Sequence, residues 1–88
     1  MAEKTPSKFQ IVQSYGGMKE AYFEVEDVTA ADTIDFSENI STDVKVCVMQ
    51  KMDGTLVPGI VCSTDDTVTV GTGPSTEFVY GTVKYASY

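Results

Sequence analysis

Cys47 and Cys62 are the only two cysteines of the chain, and they lie near the ends of "VCVMQKMDGTLVPGIVC" (Val46–Cys62), with an Asp-Gly pair near its middle. Two thiols so placed could form a disulfide, a redox pair or part of a metal site. Asp53-Gly54 between β-rich flanks is a strong hairpin signal. A two-residue turn there sets Cys47 opposite Ile60 and Cys62 opposite Lys45, with the thiols on one face but diagonally displaced. A longer turn, or a bulge at Pro58, shifts that register and can bring the thiols opposite one another. A disulfide needs close Cα atoms and converging Cβ vectors, so two free half-buried thiols and a cross-strand bridge both stay open. A CxxC redox motif is absent. A structural zinc takes about four ligands, and the chain has no His to add to its two Cys, which argues against zinc and leaves no metal residue to assign.

The remaining chemistry-bearing residues are mostly acidic. Glu20, Glu24, Glu26, Asp27, Asp32, Asp35, Glu38, Asp43, Asp65 and Asp66 could supply paired carboxylates for acid–base catalysis. No pair is marked by its spacing, and without His a nucleophile–base constellation is hard to assemble; a solvated face is the plainer reading. Calcium could bind at "STDD" (Ser63–Asp66) or around Asp32–Asp35, but the twelve-residue EF-hand pattern is missing. Gly71-Thr72-Gly73 resembles a fragment of a phosphate loop, yet it lacks the Lys and following helix that mechanism needs. Tyr15, Tyr22, Tyr80, Tyr85 and Tyr88 could stack on sugars or face a protein partner. Tyrosine suits interfaces because it joins apolar area to a hydroxyl; Tyr80 and Tyr85 read equally as half-buried sheet residues. The expectation is a protein that is not an enzyme, with no catalytic, cofactor-binding or metal residue.

The elements that would position these groups are strands. Leu occurs once, Ala is sparse, and Val and Thr are abundant, a composition that fits pleated surfaces rather than helices. Met1–Ser7 is polar, contains Pro6 and reads as a mobile arm. Lys8–Tyr15 is a first strand and Gly16-Gly17 a turn. Met18–Val28 alternates, with Ala21, Phe23 and Val25 on one side and Glu20, Tyr22, Glu24 and Glu26 on the other. One buried and one wet face is the signature of an antiparallel sheet. Thr33–Phe36 and Val44–Met52 follow; in the latter Val44, Val46 and Val48 share a face opposite Lys45, Cys47 and Met49. Thr55–Ser63 returns from the hairpin, and Pro58 puts it at an edge or a bulge. Thr67–Val70 and Glu77–Tyr85 complete about seven strands at short spacing. The fold expected is all-β, a small antiparallel sandwich or barrel over residues 8–88 with a flexible arm over 1–7.

Bulk properties narrow the partners. The 88 residues suit one domain, and a domain this small has limited stability alone, which makes self-association or docking plausible. Hydrophobic residues at 42% and charged residues at 22% give a globular composition. A net charge of −7 argues against binding nucleic-acid phosphates. No apolar run approaches the ~20 residues of a membrane span. The opening "MAEKTPSK" is not a secretory signal, so the cytoplasm, where thiols stay reduced, is the expected site of synthesis.

The cadence from about Thr29 to Tyr85 adds a resemblance. Asp32-Thr33-Ile34, the strand "DVKVCVMQ", the run Thr67-Val68-Thr69-Val70-Gly71 and the closing Val79-Tyr80-Gly81-Thr82-Val83 resemble small β-rich proteins of tailed bacterial and archaeal viruses, such as capsid decoration or cement proteins. The resemblance implies a non-enzymatic role on the capsid surface of a virion, after synthesis in the host cytoplasm. It implies a symmetric homo-oligomer, with a trimer favoured, and the major capsid protein or another virion protein as partner. It supplies no catalytic residue or cofactor. Contact on that reading runs through Lys4, Pro6 and Lys8 of the arm with Phe9 beside it, Tyr22 on the polar face, Pro58 on the edge strand, and Tyr88. The alternative is a small carbohydrate- or protein-binding module of tail-fibre or surface-protein type, with exposed Tyr and loop carboxylates as its site.

Overall fold

Eight strands in two four-stranded sheets enclose one apolar core in the computed structural model, which describes residues 2–62 and 66–86. The strands are β1 (Glu3–Lys4), β2 (Lys8–Tyr15), β3 (Met18–Val28), β4 (Thr33–Asp35), β5 (Val44–Lys51), β6 (Val61–Cys62), β7 (Thr67–Thr69) and β8 (Glu77–Ala86). The large sheet has the order β2-β3-β8-β5 and is antiparallel throughout. The small sheet has the order β1-β4-β7-β6, and only its β1–β4 pair is parallel. The all-β class is the one the alternation predicts, and eight strands in two sheets stand where a sandwich or barrel of about seven was expected.

The core follows from that alternation. Ala21, Phe23 and Val25 of β3 and Val79, Val83 and Tyr85 of β8 point inward, against Ile34, Val68 and Val70 from the small-sheet side. Phe36, just after β4, spans the layers. Its ring meets Phe23 edge-on at 5.2 Å and Phe9 at 6.1 Å, distances at which aromatic pairs attract beyond simple burial. At Gly81 and Gly71 the backbones approach too closely for a side chain: a Cβ would run into Val48 and Met49 of β5 at the first, and into Pro58 at the second.

Three bulges interrupt the pleat. Val12 is extra between Ile11 and Gln13 of β2, Lys45 is extra between Val44 and Val46 of β5, and Glu26-Asp27 oppose Phe78 alone between Val25 and Val28. Asp27 has φ 57°, the left-handed conformation that Asp tolerates better than most residues. An extra residue flips everything beyond it to the other face. Val28 is therefore buried, and Val44 joins Cys47 and Met49 inside while Val46 and Val48 turn outward. This corrects the simple alternation, which grouped the three valines.

Two further expectations change. Residues 2–7, expected as part of a mobile arm, are tied to both sheets: β1 pairs with β4, Ala2 N–H donates to Asp32 Oδ1 at 2.8 Å, Thr33 N–H donates to the Ala2 carbonyl, and Ser7 N–H donates to the Glu24 carbonyl of β3. Of the turn lengths the sequence leaves open, the Asp-Gly hairpin takes one longer than two residues. Lys51 N–H bonds the Thr55 carbonyl, Gln50 bridges Leu56, and Val57 N–H bonds the Met49 carbonyl. The return stretch Thr55–Ser63 is not one strand. It leaves β5 after Val57, turns at exposed Pro58 and Gly59, and rejoins as β6 on the small sheet, where Cys62 pairs with Val68. Proline cannot continue a ladder, and here it sits where the chain changes sheets.

Candidate functional site

The outer face of the large sheet is built of cross-strand rows. Gln10, Tyr22, Thr82 and Val48 lie in register across β2, β3, β8 and β5; Lys8, Glu24, Tyr80 and Gln50 form the row on one side, and Gln13, Glu20, Lys84 and Val46 the row on the other. The outer rows pair opposite charges across strands, Lys8 with Glu24 and Glu20 with Lys84, while the middle row is uncharged. Val46 is 45% exposed and Val48 46%, large values for β-branched residues at the centre of strands. A hollow of about 310 Å³ opens in this face, lined by Tyr22, Val48, Gln50, Tyr80 and Thr82 among others.

Hydrogen bonds hold two of the three tyrosines of this face, Tyr15 and Tyr22. Tyr22 Oη donates to Glu24 Oε2 at 2.7 Å, and Tyr15 Oη donates to Glu20 Oε1 at 2.7 Å. Lys84 Nζ sits 5.7 Å from the Tyr15 ring centroid, a cation–π distance. Donation to a carboxylate raises the pKa of both phenols above the ordinary tyrosine value, with desolvation and the charge of the same Glu adding to the rise. These phenols stay neutral donors and are poorly suited to taking a proton. Rigid rings, held hydroxyls and two outward valines suit recognition.

Of the carboxylates singled out in sequence, Asp32 and Asp35 serve turns, as does Asp53. Asp32, 2% exposed, accepts Ala2 N–H and Thr29 N–H, one on each oxygen. Burial pushes its pKa up, but those two donors and the Lys4 charge outweigh this and hold it below the ordinary value. Asp35 accepts Ser37 N–H and Asp53 accepts Thr55 N–H. Among the described residues no three His, Cys, Asp or Glu side chains converge as metal ligands, and Ser63–Asp65 of the "STDD" candidate lies outside them.

The predicted contact residues are not brought together. Lys4 and Pro6 are half-buried in the segment beside the small sheet and Lys8 is exposed. Phe9 packs into the core against Phe36 and Tyr85, so it serves the fold. Pro58 is exposed at the crossing between sheets, Tyr88 lies outside the described residues, and Tyr22 and Lys8 belong to the outer face. Val46 and Val48 escaped the sequence reading because the bulge at Lys45 is invisible to a period of two. Their one signal is that both faces of β5 read apolar.

The thiols do meet. β5 and β6 are the edge strands of the two sheets on one side of the sandwich, and they lie in contact. Cys47 and Cys62 both pack on the core from there. Both thiols are free. Burial first, and the neighbouring thiol second, push the Cys47 pKa far up; Cys62 is less buried, so burial raises its pKa less, and the Cys47 backbone opposes that rise. No protein-family model matches this chain, and no curated protein or solved structure matches it either.

Proposed function

We propose that the chain is a non-enzymatic assembly protein of a virus particle, adhering to the capsid surface through the outer face of its large sheet. The carrying observation is that face: two outward valines and three tyrosines, Tyr15, Tyr22 and Tyr80, beside a neutral central row. Exposed apolar area of this kind, rimmed by charge, marks protein-interaction surfaces. Many copies, each docking weakly, hold firmly when displayed on a repeating shell or joined as a symmetric oligomer. The major capsid protein or another virion protein is the partner on this reading, and the cadence shared with decoration proteins supports it.

Sedimentation of a source lysate through a density gradient, with mass spectrometry across the fractions, tests it. Co-migration with megadalton particles at a fixed ratio to a shell protein is the expected result. Migration only as a small species would overturn it. The Tyr22–Tyr80 hollow, with Gln50 and Thr82 in its lining, favours a carbohydrate-binding module as second reading, and glycan binding lost in a folded Tyr22→Ala variant would select it.

A further inference from the structure

We propose that Cys47 and Cys62 are a redox-operated latch, whose disulfide ties the edge strands of the two sheets together and closes that side of the sandwich. The inference is independent of the docking face. It rests on where the two strands run. Met49 turns its backbone polar groups away from β8, since its carbonyl accepts Val57 N–H. Cys47, two residues earlier with no bulge between, turns its N–H the same way. Past Val57 the returning chain leaves β5 and rejoins at β6 on the other sheet, so this side of Cys47 faces the strand that carries Cys62. The same parity points the Cys47 side chain inward with Met49, opposite Val83. Cys62, opposite buried Val68 on β6, points inward from the other sheet. Two thiols thus face one interior from the two edges that meet there.

Their environments assign an order of reaction. Cys62 is the better attacking group, being less desolvated and having an N–H to stabilise its thiolate. With a small-molecule disulfide as oxidant, the Cys62 thiolate attacks one of its sulfurs, forming a mixed disulfide and releasing one thiolate, which takes up the proton Cys62 gave to solvent. Cys47 then loses its proton and attacks the Cys62 sulfur, forming the Cys47–Cys62 bond and expelling the second thiolate, which is protonated in turn. Two electrons pass from the protein dithiol to the oxidant, which becomes two thiols. In a reducing cytosol the latch is open, and in an oxidising medium it closes.

The test is incubation of the folded full-length protein with oxidised glutathione, followed by denaturation, alkylation and intact-mass measurement. Expected are no alkylated cysteines, a mass lower by two hydrogens, and reversal by dithiothreitol. The fifteen-position separation of the cysteines predicts a Tm higher by roughly 12–24 °C in the oxidised form. In Cys47→Ala the glutathione adduct should stay on Cys62, whereas in Cys62→Ala the folded protein should leave Cys47 unmodified. Two alkylated thiols, a lasting glutathione adduct on the wild-type protein, or a disulfide between two molecules would each overturn the proposal.

Discussion

Replacing Asp32 by Ala tests whether one buried carboxylate holds both the β3–β4 turn and the N-terminal segment. Its two oxygens each accept one backbone N–H, from Ala2 at 2.8 Å and Thr29 at 2.9 Å. Hydrogen bonds to a charged group contribute about 1.5–3 kcal/mol each. Both bonds are only part-buried, so the freed donors recover some hydration and the low end applies. The loss for Asp32→Ala is then about 3 kcal/mol, a large share of the roughly 4–13 kcal/mol that holds a domain of this size. Asp32→Asn retains an acceptor for one N–H but turns an NH₂ toward the other, and should lose nearly as much. Urea unfolding gives the total, and amide exchange at Ala2 and Thr33 shows whether the β1–β4 pairing opens with it. The pH dependence has a definite sign. Because the folded pKa of Asp32 is below the unfolded value, its contribution is complete above about pH 4 and disappears as pH falls through the folded pKa. The gap between wild type and Asp32→Asn should narrow over that acid range. An Ala variant within about 0.5 kcal/mol of wild type, the range of ordinary surface changes, would refute the reasoning.

Three more outcomes follow from the packing. Gly81→Ala drives a Cβ into the backbone of β5 at Val48 and Met49, which should cost about 3 kcal/mol in calorimetry, at the upper end of overpacking. Deleting Lys45 removes the extra residue of the β5 bulge and leaves Val44 opposite Tyr85 and Val46 opposite Lys84 as before; its ion pair with Asp43, at 3.9 Å and exposed, contributes little. That deletion should leave the thermal transition cooperative with Val46 still outward, whereas a bulge-free strand would be thrown inside out and unfold. Val48→Glu on the outer face should keep stability within about 0.5 kcal/mol while particle-bound copies fall sharply in gradient sedimentation; undiminished occupancy would remove that face from the docking surface.

The strands of the large sheet were legible because their apolar residues recur at a period of two over long stretches. Met18–Val28 and Glu77–Tyr85 are read from sequence nearly as they fold, up to the bulge before Val28. The small sheet was harder. Its strands are two or three residues long, too short for periodicity, and β1 is polar because an edge strand buries little. What fixes β1 is the Asp32 carboxylate some thirty residues on, a contact with no local signature. The hairpin was recognised but its length was not, since Asp-Gly serves both two-residue and longer turns. The length sets the register, and the register decides what Cys47 faces. The meeting of Cys47 and Cys62 therefore stays an open alternative in the sequence, because it depends on the chain changing sheets between Val57 and Val61.

The bulges connect these failures to the candidate site. The extra Val12 in β2 moves Tyr15 to the outer face, where its hydroxyl reaches Glu20 and its ring lies by Lys84. The extra Lys45 in β5 moves Val46 and Val48 to that same face and leaves Val44, Cys47 and Met49 within. On unbroken alternation Tyr15 would share its side with Phe9, and Val46 and Val48 would follow Val44 into the core. The exposed aromatic and apolar groups of the outer face are thus set there by two irregularities at the sheet's outermost strands, not by the dominant pattern of the chain. Bulges gather at sheet edges and re-aim side chains. A sequence variant that kept composition and hydrophobic pattern but regularised β2 and β5 by moving residues across the bulge would keep an all-β core and lose the face. The fold depends on the period of two, and the candidate site depends on where that period breaks.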